Sequence, residues 1–193
     1  ERPGSVGLAG LGTIHVCDDE GRELAAGEVG TVYFERDAPT FEYHNAPDKT
    51  RGARHPEHDN WATTGDLGYV DEAGFLFLTD RKSFMIISGG VNIYPQEIDN
   101  ELIKHPAVAD SCTVGVPHDE RGEEVRAVIQ LRPGFSPSED LRQEILAFAA
   151  ERVAKYKLPR GVDFVDALPR SEAGKIQRNK VRAPYWEGRA RAI

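Results

Sequence analysis

The rhythm of hydrophobic and polar positions changes partway along the chain. Before about residue 80, apolar residues come in short, glycine-punctuated runs. These predict strands at 13–16 (TIHV) and 29–35 (VGTVYFE), with a third short strand somewhere in 6–36. Asp18 to Gly21, DDEG, reads as a tight turn between them. Residues 41–60 are polar and read as a surface loop, and 74–78 alternates into a further strand. Beyond residue 80, strand patterns alternate with periods of 3.6. A strand is expected at 85–87, and then a strand-to-helix turn or a ligand-approach loop at the double glycine. A helix should follow with Pro95 at its first position, Glu97 in its first turn and Ile98 and Leu102 on its buried face. Strands follow at 108–116 and 125–131, the latter with Val125, Ala127, Ile129 and Leu131 on one face. Ser136, Pro137 and Glu139 read as a capping box opening a helix whose stripe is Leu141, Ile145, Phe148 and Ala149. A last strand at 162–165, a small-residue loop at 171–175 and a short basic helix from Arg178 complete the pattern.

The expected fold class is therefore α+β. A β-rich subdomain is followed by a small α+β domain whose short sheet is flanked by helices. The polar joint DRKS places the division, with 1–80 as one body, 81–83 as a hinge and 84–193 as the second. Composition narrows the function. A net charge of −8 over 193 residues argues against a nucleic-acid binder. Two distant cysteines, Cys17 and Cys112, make a disulfide framework or zinc site an unsuitable reading and fit a reducing, cytosolic setting. No apolar run approaches the roughly 20 residues of a membrane-spanning helix. The opening ERPGSVG reads as mid-chain loop and not as a signal peptide.

Several residues are candidates for chemistry. Asp66, in TTGDLG, either accepts hydrogen bonds from paired hydroxyls such as those of a ribose or caps its own turn. Arg81, in TDRK, offers a donor fork to sugar or phosphate oxygens, or is a charge at a domain edge. Ser88, Gly89 and Gly90 lack bulk and allow close approach to a narrow ligand. Lys175, in SEAGKIQ, is a compact charge on a loop of small residues, suited to phosphate and carboxylate oxygens. Lys155, Lys157, Arg160, Arg170, Arg178, Lys180 and Arg182 form either a site for a phosphate-bearing ligand or a solvated basic face. His55 and His58 have ligand spacing but no helix or third ligand, and GLAGLG lacks dinucleotide-loop spacing, so neither is assigned; no metal site is expected.

Three stretches, WATTGDLG, DRKSFMIISGGVNIYPQEID and LPRSEAGKIQR, occur here in the order and spacing of the AMP-forming acyl-CoA synthetases and their adenylating relatives. The chain resembles roughly the last third of such an enzyme. The resemblance implies a two-step reaction. A carboxylate attacks the α-phosphate of ATP, giving acyl-adenylate and pyrophosphate, and the CoA thiol then takes the acyl group, releasing AMP. It implies that Lys175 is catalytic in the first step and that Asp66 and Arg81 bind the nucleotide. Lys82 and Ser83 would form the hinge. Ser88, Gly89 and Gly90 would line the pantetheine passage, with Tyr156, Lys157 and Arg160 near the CoA nucleotide. The hinge position is usually Asp or Lys in the family and is Ser83 here. ATP, Mg²⁺ and CoA are implied for the parent enzyme, with a fatty or aryl acid as substrate. The Ser/Thr/Gly-rich phosphate loop and the acyl pocket are not in these 193 residues, so the segment alone is expected to be inactive without its missing N-terminal domain. An enzyme loading a carrier protein, or a non-catalytic nucleotide- or CoA-binding module, are the alternatives.

Overall fold

A computed structural model describes residues 2–39 and 41–189. The chain divides into two compact units, Glu1–Ser83 and Phe84–Ile193, each built on its own sheet, and the class is α+β.

The first unit is an antiparallel sheet. Its strands are β1 (Thr13–Cys17), β2 (Gly30–Glu35), β3 (Trp61–Ala62), β4 (Asp66–Val70) and β5 (Leu76–Arg81). They run in the order β1-β2-β4-β5, with β3 also on β2. Alternation puts Val16, Val32 and Leu76 inward, packed with Ile14, Leu24, Phe34 and Val70. The third strand expected in 6–36 is reduced to isolated bridges, Gly7 to Leu76 and Glu23 to Cys17. The polar stretch 41–60 holds one short helix, α1 (Pro47–Gly52), that buries none of its residues and so leaves no periodic trace. His55 is 3% exposed. Its Nε2 lies 2.8 Å from the Gly21 carbonyl, and its ring packs with those of His58 and Trp61. His15 stacks on Trp61 at 3.5 Å. These histidines are parts of an aromatic cluster.

The second unit contains β6 (Ile86–Ser88), β7 (Val91–Ile93), α2 (Pro95–Leu102), β8 (Val108–His118), β9 (Gly122–Leu131), α3 (Glu139–Ala150), β10 (Gly161–Val165) and α4 (Arg178–Arg182). The long β8 and β9 form an antiparallel hairpin, and β10 joins β9 in parallel after the α3 crossover. The sheet is buried on both faces. Val125, Ala127 and Ile129 face Ile98, Leu102, Leu141, Ile145 and Ala149 from α2 and α3. Cys112, Val114, Val116 and Val128 face Leu168 and Val181.

Three expectations change. The double glycine is not a strand-to-helix turn. Gly89 and Gly90 both have positive φ, 59° and 80°, and close a two-residue β-hairpin between β6 and β7, the backbone demand that glycine meets best. The helix starts only afterwards, at Pro95. The cap of α3 is Ser138, not Ser136: its Oγ accepts from the Leu141 amide at 3.1 Å and leaves Pro137 outside the helix. Finally, β5 continues through Asp80 and Arg81, because both still pair with β4.

Candidate functional site

In the first unit, Asp66 opens β4 and pairs in register with Arg81 at the end of β5. Thr64 Oγ1 donates to one oxygen of Asp66 at 2.5 Å, and Arg81 Nε stands 3.2 Å from the other. A carboxylate has about four acceptor positions, so the pair fixes the orientation of Asp66 and leaves capacity for two hydroxyls. The Asp66 side chain is partly exposed and Arg81 more so, at 23% and 58%. The geometry thus fits a ribose.

Lys82 and Ser83 lie in a 3₁₀ turn, Lys82–Phe84. The Lys82 amide donates to the Gly65 carbonyl at 2.8 Å, and its ammonium meets Asp19 at 2.6 Å. Ser83 is exposed.

In the second unit, Lys175 sits on a loop closed by a bridge between Arg170 and Ile176. The Lys175 amide and the Gly174 amide both donate to Ser171. The Lys175 side chain is exposed, and no carboxylate among the described residues pairs with it. Two arginines hold the loop from its flanks. Arg170 donates to the Gly174 carbonyl at 2.9 Å and pairs with Asp110 near the start of β8. Arg178 donates to Asp99 at 2.9 Å, to the Thr113 carbonyl and to Gln96. Asp99, 5% exposed on α2, also accepts from the Ser111 hydroxyl, the Thr113 amide and the Thr113 hydroxyl at 2.7–2.8 Å. A buried carboxylate is tolerable only when paired and hydrogen-bonded in this way.

The other candidates lie at the opposite end of β8. The Gly89 amide donates to Arg121 in the β8–β9 turn at 3.0 Å, and Ser88 pairs with Gly122. Asp110 and His118 bracket most of β8, so the anchors of the Lys175 loop and of the double-glycine hairpin stand about 25 Å apart along one strand.

Tyr156 is exposed and Arg160 is exposed. Lys157 is tied to both oxygens of Glu97 at 2.7 and 2.6 Å. Burial opposes its charge, but the Glu97 hydrogen bonds and charge outweigh that and hold its pKa above the ordinary lysine value. The basic tail is therefore not one solvated face, since Lys157, Arg170 and Arg178 all have internal carboxylate partners. Asp99, Ser111, Thr113 and Asp110 were not singled out from the sequence. The available signal was weak: a carboxylate beside Ile98 on the buried side of α2, and hydroxyls two apart on β8. Among the described residues no three His, Cys, Asp or Glu stand together as a metal site.

A mixed sheet-and-helix unit carrying a lysine loop at one end and a glycine hairpin at the other matches a known family. Residues 97–175 match the model of the AMP-binding enzyme C-terminal domain. The chain is 41% identical over 178 residues to a fatty acid–[acyl-carrier-protein] ligase of Streptomyces coeruleorubidus, covering 92% of this chain and 33% of that protein. It is 37% identical over 182 residues to a long-chain-fatty-acid–CoA ligase of Bacillus subtilis, covering 93% and 31%. Its structure is similar to that of ATP-bound MatB from Rhodopseudomonas palustris, with a TM-score of 0.82, 35% identity and coverage of 95% and 36%. Residues 97–175 are an AMP-binding enzyme C-terminal domain, and the similarity to these ligases extends over most of the chain. It spans about a third of the length of the curated relatives it matches.

Proposed function

We propose that the chain is a C-terminal segment of an ATP-dependent, AMP-forming acyl-CoA ligase. The reaction is carboxylate, ATP and CoA to acyl-CoA, AMP and pyrophosphate, through an acyl-adenylate. The observation that carries this reading is the separation of the two reactive elements along β8. The Asp110 anchor of the Lys175 loop and the double-glycine hairpin lie at opposite ends of β8, about 25 Å apart along the strand. One active centre can use both only in turn, which suits a two-step reaction in which the second unit pivots at Lys82 and Ser83. In the first step Asp66, oriented by Arg81, holds the ribose hydroxyls, and Lys175 neutralises charge developing between carboxylate and α-phosphate. In the second step Ser88, Gly89 and Gly90 line the pantetheine passage. Tyr156 and Arg160, both exposed, would meet the CoA nucleotide, and Lys157 would do so only by sharing its Glu97 partner. Mg²⁺ would come with ATP and be held outside this chain, as would the phosphate loop. The named relatives favour a fatty acid as substrate.

One observation supports a second reading: the Streptomyces relative is an acyl-carrier-protein ligase, so the acceptor thiol would belong to a carrier protein. The test is AMP release by the full-length enzyme over short, medium, long and aromatic acids, with CoA or with unacylated, phosphopantetheine-bearing carrier protein as acceptor. CoA-dependent release that collapses in Lys175→Ala establishes the ligase. Release only with carrier protein establishes the second reading. Nucleotide binding without release from any acid overturns both in favour of a non-catalytic module.

A further inference from the structure

Glu123 is 2% exposed in the second unit, at the start of β9, and the chemistry above does not use it. Its Oε2 accepts a hydrogen bond from the Ile87 amide at 3.1 Å. Ile87 immediately precedes Ser88, the first residue of the double-glycine turn. Burying a carboxylate among apolar residues is costly, and Ile86 beside it is fully buried.

The strand opposite is shaped around this carboxylate. A Cβ on Gly115 would lie 2.5 Å from Glu123 Oε2, 2.9 Å from its Cδ and 3.2 Å from Ile86. Real Cβ atoms do not approach so closely, so Gly115 serves to leave room. The Gly115 carbonyl is itself held, accepting from Trp186 Nε1 at 2.9 Å. Along the edge it shares with β9, β6 makes one ladder pair, Ser88 with Gly122, and the Gly89 amide donates to Arg121. Glu123 adds a fixed acceptor just ahead of the turn.

We propose that Glu123 is a positioning residue for thiol transfer, setting the height and angle of the Ser88–Gly90 turn through the Ile87 amide. Gly115 provides the space that lets it do so. The proposal rests on the ligase reading. It predicts that the two half-reactions separate, because Lys175 is anchored at the other end of β8.

The test uses the full-length enzyme with Glu123→Ala, Glu123→Gln and Gly115→Ala. Two rates are measured: ATP–pyrophosphate exchange, and single-turnover acyl transfer from preformed acyl-adenylate to CoA. Loss of one well-made hydrogen bond predicts that Glu123→Ala and Gly115→Ala slow transfer by about tenfold. Exchange should stay within about twofold of the unsubstituted enzyme. Glu123→Gln keeps an oxygen acceptor and should recover transfer to within about threefold. Equal loss of both half-reactions, or no loss of transfer, overturns the proposal and leaves Glu123 a stabilising residue only. Should Gly115→Ala fail to fold, the Glu123 pair decides by the same criteria. Absence of exchange by the unsubstituted enzyme with every acid overturns the ligase reading and this proposal with it; that outcome differs from transfer loss in the variants alone.

Discussion

The Arg178 guanidinium donates to the Asp99 carboxylate at 2.9 Å across 79 residues of sequence, joining α4 to α2. The side chains are 11% and 7% exposed, so neither charge has much water to fall back on. Arg178→Met should destabilise the second unit by about 3–5 kcal/mol, the range for removing one partner of a buried pair. Arg178→Lys should restore little of this, because an ammonium cannot reach Asp99, Thr113 and Gln96 together as the fork does. Guanidinium chloride unfolding followed by circular dichroism checks both.

Lys175 should behave in the opposite way. It is exposed and unpaired among the described residues, so Lys175→Ala should leave the unfolding midpoint unchanged. In the full-length enzyme it should slow adenylate formation by about 10²–10³-fold, the usual cost of deleting one preorganised charge-stabilising group. Transfer from supplied acyl-adenylate to CoA should continue. Measuring the midpoint and both half-reactions on one preparation separates the two roles.

Asp66→Asn keeps the shape of the side chain but removes its charge. The side chain can then accept from fewer hydroxyls, and Arg81 loses its counter-ion. The KM for ATP should rise roughly ten- to hundredfold, as for loss of hydrogen bonds to a charged group, with the KM for CoA little changed. Initial rates at varied ATP and CoA test this, and a purely turn-capping Asp66 would move neither KM.

Cys17 gives a pH prediction. Burial, with the Glu23 and Asp18 carboxylates adding to it, pushes its thiol from 9.0 up to about 11. Between these values the unfolded chain loses the proton while the folded unit keeps it. The stability associated with the protonated thiol is complete below about pH 9 and is lost as pH rises through about 11. Urea midpoints of the first unit should fall over that interval in the native sequence and fall less in Cys17→Ala. A thiol reagent at pH 8 should modify Cys17 only at the rate of unfolding.

Much of the second unit was readable because its helices bury regular stripes. Leu141, Ile145 and Ala149 announce α3, and Ile98 and Leu102 announce α2. The cap of α3 is not fixed by sequence, because 136 and 138 are both serine and only the hydrogen bond to Leu141 separates them. The strand β7 escaped notice because Val91, Asn92 and Ile93 are too few to show a period. For the site, Asp66, Arg81, Ser88–Gly90 and Lys175 stand in local motifs and could be named. Asp99, Asp110, Glu123 and Gly115 could not. Their importance arises from side-chain partners 12 to 79 residues away and from a space that sequence does not display.

The two tryptophans of the chain are divided between the units. Trp61 stacks with His15 and His58 in the first, and Trp186 bonds to Gly115 in the second. Each unit therefore carries its own intrinsic fluorophore. Trp61→Phe leaves an emitter that reports only on the unit holding Lys175 and the glycine turn, and Trp186→Phe leaves one that reports only on the unit holding Asp66. Melting of either half can thus be followed by emission in the intact chain without an added dye.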